Sequence, residues 1–178
     1  MILFFSFFII AIIILFSVRP SEVIDDWHHY FDELQFSSGE YYQLVQEGIQ
    51  KRQVPDQQTF PKNLFETNVM SAKREYLRVT NVRYIFDICA APYGSGFFVS
   101  WWLRESKSMG EIILNRIFPF TAKKTYYQLD TRMMFRGAIH TAVLKAIDEV
   151  TTGKGIRGLT ELEKQFSTNP KYQFQAKP

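Results

Sequence analysis

Residues 75–103, EYLRVTNVRYIFDICAAPYGSGFFVSWWL, decide the fold. β-branched and aromatic side chains dominate the runs 75–82 and 83–89, and both have period-two character. Tyr76, Arg78 and Thr80 oppose Leu77 and Val79, while Tyr84, Phe86 and Ile88 oppose Ile85 and Asp87. Pro92-Tyr93-Gly94-Ser95-Gly96 is turn chemistry, and residues 97–103 read as the return strand. Three strands joined by short connections predict an antiparallel meander.

Helical patterns flank the meander. Ser21 is placed to cap a helix over 22–34, with Val23, Trp27, Tyr30, Phe31 and Leu34 at helical spacing and an acidic opposite face. Ser37-Ser38-Gly39-Glu40 has the S-x-x-E spacing of a capping box. The helix it opens carries Tyr41, Leu44, Val45 and Ile49 and ends near Arg52, before the turn signal Val54-Pro55-Asp56. Residues 59–70 are irregular and hold a strand. Residues 106–119 fit either a short amphipathic helix or an apolar connector.

The clearest helix follows Asp130 as its predicted cap. Its stripe is Phe135, Ala138, Ile139, Ala142, Val143, Ala146, Ile147 and Val150, and Gly153 ends it. Thr160-Glu161-Leu162-Glu163 is a second capping box, opening a short terminal helix. The fold class is therefore α+β, an antiparallel β-meander packed against helices with one long C-terminal helix. The organisation expected is a transmembrane anchor over 1–19, a globular domain over 20–165 and a polar tail over 166–178.

The anchor is read from composition. From Met1 to Val18 every residue is apolar or serine, and Arg19-Pro20 closes the run. An eighteen-residue helix reaches roughly 27 Å, close to the ~30 Å hydrocarbon thickness of a bilayer. A cleaved signal needs a basic start and a small-x-small site, and this stretch has neither. A single-pass protein follows. Arg19 is the only basic residue flanking the span, which places the bulk domain in the cytoplasm. The single Cys89 fits a reducing compartment. A net charge of +3, dispersed along the chain, excludes the concentrated basic face that nucleic acid requires but suits weak attraction to an anionic leaflet.

The stretches SAKREYLRV (71–79) and FDICAAPYGSGFFVSWWLRE (86–105) resemble a family of uncharacterised bacterial proteins with no established activity. The resemblance implies a bacterial protein and transfers no functional residue.

Four constellations bear on function. Residues 153–158, GKGIRG, match G-x-G-x-x-G, but they follow a long helix rather than a strand, so a helix end and a turn are expected there. Asp25, His28, His29 and Asp32 would form two i,i+4 pairs on one helix; a metal would need further ligands such as His140 or Glu33. Cys89 and His140, oriented by Asp87 or Asp130, would be the candidate nucleophile and base, yet nothing beside Cys89 lowers its pKa. No catalytic residue, cofactor or metal site is assigned.

The fourth is the string Phe97-Phe98-Val99-Ser100-Trp101-Trp102. One alternating set fills the core, and the other is either covered within the chain or exposed as a docking surface. Phe98 and Trp102 are its candidates, with Tyr126 and Tyr127, behind Lys123-Lys124, suited to a membrane interface. The function expected is a membrane-anchored, non-enzymatic interaction (adaptor or scaffold) domain whose partners are the bilayer and another membrane or membrane-associated protein. A lipid or small-molecule sensor would show a cavity between sheet and long helix. A small membrane-associated enzyme would bring Asp87, Arg78 and His140 into one cleft.

Overall fold

The computed structural model describes residues 21–64, 74–117, 124–152, 154 and 156–165. The predicted anchor, the predicted tail, Lys123 and the glycines 153 and 155 lie outside them. Five strands form one antiparallel sheet: β1 (Ser21–Phe31), β2 (Gln58–Leu64), β3 (Arg74–Thr80), β4 (Tyr84–Tyr93) and β5 (Gly96–Ser106). Their spatial order is β1-β5-β4-β3-β2. The helices are α1 (Ser38–Gln50), α2 (Met109–Ile117), α3 (Tyr126–Thr151) and α4 (Glu161–Lys164). The α+β class and the long C-terminal helix are as expected.

The meander forms as its alternation predicts. Phe97, Val99, Trp101 and Leu103 of β5, with Tyr84, Phe86 and Ile88 of β4, are wholly buried in one cluster. Tyr41, Val45 and Ile49 of α1 and the apolar stripe of α3 complete that cluster. The β4–β5 hairpin turns on Gly94 and Ser95, and a φ of 61° at Gly94 alone is the signature of a type II′ turn. Gly96 is a close-approach glycine: an added Cβ would lie 2.3 Å from the Phe31 carbonyl oxygen and 2.5 Å from the Tyr30 ring. β1 can lie against β5 there only because position 96 has no side chain.

Two expectations fail. Residues 21–31 are a strand, not the helix predicted over 22–34. β1 pairs with β5 from Ser21↔Ser106 to Phe31↔Phe97, which satisfies the edge that the β5 core strand would otherwise leave open. Val23, Ile24, Trp27, Tyr30 and Phe31 are good strand formers, so pairing overrides the helical spacing. A bulge between Val23 and Asp25 turns Asp25 to the helix side, where it pairs with Arg136 of α3.

The long helix also starts earlier than Asp130. Thr125 caps it, receiving the Gln128 N–H while the Gln128 side chain accepts from the Thr125 N–H, a complete capping box. The helix ends at Thr151, two residues short of Gly153. The other two caps hold: Ser37 receives the Glu40 N–H, and Thr160 and Glu163 form a reciprocal box. Residues 109–117 settle as a helix, and β2 lies within the irregular stretch, with Pro61 tolerated because β2 is an edge strand.

Candidate functional site

The two faces of the sheet differ in kind. The inner face meets α1 and α3 and is mainly apolar, with Asp25 paired to Arg136 at its margin. On the outer face the register sets Asp26, Trp102, Asp87 and Arg78 side by side across β1, β5, β4 and β3. Asp87 is only 2% exposed although it carries a carboxylate. Arg78 grips it with two hydrogen bonds, Nε to Oδ1 at 2.6 Å and Nη2 to Oδ2 at 3.0 Å, and Arg104 adds a third from β5. The carboxylate is thus enclosed by the long stems of its own partners, which also cover part of the sheet.

Within this face the 97–102 string behaves as its alternation requires. Phe97, Val99 and Trp101 are fully buried, while Trp102 is 41% exposed and Phe98 half-buried. Phe98 stacks on His28, with ring centroids 6.3 Å apart. Between them Ser100 and Cys89 are cross-strand neighbours and both buried. Burial pushes the Cys89 thiol up, against the pull of Arg74, so it is poorly disposed to attack as a thiolate.

Tyr126 and Tyr127 lie elsewhere, on the helix layer in the first turn of α3, at 87% and 79% exposure. The four candidate residues therefore make two surfaces rather than one. Tyr127 walls an open groove of about 620 Å³ with Val82, Tyr84, Met134 and Phe135, and Arg52 stands on its rim. Sequence reasoning missed Val82 and Met134. The available signal was apolar residues in the wrong places: Val82 inside a turn, and Met133-Met134 off the stripe of the long helix.

The sheet separates the groups an enzyme would have needed together. Asp87 and Arg78 are on the outer face, whereas His140 is on the inner side. His140 is held by both ring nitrogens: Nδ1 accepts from Trp101 Nε1–H at 2.9 Å, and Nε2–H donates to the Lys164 carbonyl at 2.8 Å. Beside it, the Trp27 Nε1–H donates to the Glu163 carbonyl at 2.9 Å. These bonds require the neutral imidazole, and burial lowers the His140 pKa accordingly. His28 and His29 point to opposite faces of a strand, and four residues of extended chain span about 13 Å, so the predicted i,i+4 pairs Asp25–His29 and His28–Asp32 do not form; Asp25 meets Arg136 instead. Among the described residues no group of three or more His, Cys, Asp or Glu is placed to hold a metal ion.

At the end of the sheet where β1 begins, Glu105 is buried. Burial would raise its pKa, but Lys124 and Arg83 outweigh burial and hold it below the usual carboxylate range. Arg83 bridges on to Glu111 of α2 at 3.2 Å. This network ties α2 and the start of α3 to the sheet. No helix among the described residues is long and apolar enough to cross a membrane. No protein-family model matches this chain, and no curated protein is significantly similar to it.

Proposed function

We propose that this chain is a bacterial single-pass membrane protein whose domain is a non-enzymatic interaction module on the cytoplasmic side. It docks a neighbouring membrane or membrane-associated protein on the outer sheet face. The observation that carries this reading is Trp102: a large apolar side chain 41% exposed on β5, beside a neutralised Asp87–Arg pair and with Phe98 further along the same face. Aromatic and arginine side chains around a partly desolvated centre are the usual composition of protein-binding hot spots. The polar groups of the domain support the same reading, because Asp87, Glu105 and His140 are all consumed by internal bonds. The anchor reading of residues 1–18 supplies the location, and confinement to the membrane raises the effective concentration of any partner there.

A photo-crosslinking side chain at position 102, in the full chain and in native membranes, tests this. The expected result is a discrete adduct from position 102 and none from position 93, which is 69% exposed at the hairpin tip. Equal adducts from both positions, or none from 102, overturn the docking reading. The groove beside Tyr127 favours a second reading, a sensor of a small amphiphile, since its volume lies in the range of ligand sites. A small molecule retained through purification of the detergent-solubilised protein, and lost on Met134→Trp, would support it.

A further inference from the structure

We infer that the end of the domain built from the Asn81–Arg83 turn and the first turn of α3 lies in the lipid headgroup layer, with Tyr126, Tyr127 and Val82 seated at the bilayer interface. The inference rests on the proposed reading of residues 1–18 as a membrane span. Only Arg19-Pro20 separates that apolar run from Ser21, the first residue of β1. Three peptide steps from Val18 reach at most ~11 Å, and the headgroup layer on each side of the hydrocarbon is itself about 5–8 Å thick. Ser21 is therefore pinned in or just above that layer, and whatever shares its end of the sheet is pinned with it.

The register says what shares it. Ser21 pairs with Ser106, and Glu105 pairs across β5 with Tyr84, directly after the Asn81–Arg83 turn. The Tyr84 hydroxyl donates to the Gln128 carbonyl at 3.2 Å, which brings the start of α3 to the same end. Lys124, bonded to Glu105, is there too, as is Lys107 at the exit of β5, paired with Glu22. Val82 is 76% exposed, and it shares with Tyr127 and Met134 the apolar groove described above. At the opposite end Tyr93 and Tyr30 are the exposed tyrosines among the described residues, and they are tied to each other, the Tyr30 hydroxyl donating to the Tyr93 carbonyl at 2.9 Å. Tyrosines with apolar neighbours and lysines at one end of a tethered domain are the composition of an aromatic belt. Amphipathic rings of this kind are more stable at the headgroup level than in water.

Site-directed spin labelling of the full chain in phosphatidylcholine vesicles containing phosphatidylglycerol tests the inference. Single variants Val82→Cys, Tyr127→Cys and Tyr93→Cys each carry a nitroxide. Cys89 is 1% exposed with its thiol pushed up, so the label goes to the introduced cysteine. Oxygen, which partitions into lipid, should relax the labels at 82 and 127 more than a water-soluble nickel chelate does, and position 93 should show the reverse. The inference is overturned if the protein stays with the vesicles through an alkaline carbonate wash yet 82 and 127 are as open to nickel as 93. Release by the wash instead sinks the anchor reading, and the inference falls with it.

Discussion

Trp101 and Trp102 are neighbours in one strand with opposite fates. Trp101 is fully buried, tilted against Phe86 at 4.7 Å between ring centroids, with its indole N–H on His140. Trp102 is 41% exposed between Asp26 and Asp87. The difference is the difference between the two faces of the sheet. The inner face is held mainly by apolar area removed from water, and the polar groups it buries, such as the Trp101 and Trp27 indole N–H groups and the Tyr41 hydroxyl, are each matched to an acceptor. The outer face is held by charge: a buried carboxylate enclosed by two guanidiniums, with an aromatic ring left partly in solvent. One strand thus builds the core with its odd-numbered residues and leaves its even-numbered ones for a surface.

The largest effect expected is from Trp101→Ala. It opens a cavity at the centre of the cluster and strands the His140 Nδ1 acceptor, so it should cost about 3–5 kcal/mol. Trp102→Ala should cost only about 1 kcal/mol, since much of that ring already meets water. Urea unfolding of the two variants checks the contrast, and equal losses would make the outer face a second core. Next comes Asp87→Ala. Removing the carboxylate leaves Arg78 and Arg104 without their shared partner, a loss of about 3 kcal/mol. Arg104→Ala leaves Asp87 its bidentate bond to Arg78 and should lose no more than about 2 kcal/mol. If Arg104→Ala proves the worse of the two, the charged face is not organised around Asp87.

The two faces were not equally legible. Period-two alternation in 75–103 separated the two sets of side chains and put Phe98 and Trp102 together as candidates for a surface, because pleat geometry is local, but it left open whether that second set is covered. The Asp87 cluster was not readable, since which arginine meets which carboxylate depends on the register between strands. His140 reads in the sequence as a candidate base beside Cys89, a spare metal ligand or a structural histidine, and nothing local decides among them; its bond to Trp101 spans 39 residues of sequence and exists only after packing. β1 was misread because Asp25, Asp26 and Asp32 gave an acidic stripe beside apolar residues at helical spacing, and the need of β5 for a neighbour is invisible locally. The start of α3 was missed because its first turn projects past the core. Tyr126 and Tyr127 bury nothing, so no stripe marks them, and the Thr125–Gln128 box lay ahead of the more conspicuous Asp130.

The smallest effect concerns pH, and it separates the faces again. His140 on the inner side has its pKa lowered by burial, so the folded state disfavours the imidazolium. Its contribution is fully present above the ordinary histidine value and is lost as pH falls through that value toward the folded one. His29 is lowered for the same reason and adds the same sign. Glu105, held low by Lys124 and Arg83 against its burial, keeps its contribution until pH falls below the usual carboxylate range. Asp25 runs the other way: burial raises it despite Arg136, so it favours the fold at low pH and loses that contribution as pH rises through its folded value. Between about pH 7.5 and pH 5.5 the histidines should therefore dominate, and stability should fall with acid. His140→Gln keeps an acceptor for the Trp101 N–H but cannot take up a proton. The variant should flatten the slope of unfolding free energy against pH by up to about 1.4 kcal/mol per pH unit. An unchanged slope would assign the acid sensitivity to His29 and would mean that the imidazole between Trp101 and the Lys164 carbonyl tolerates its charge.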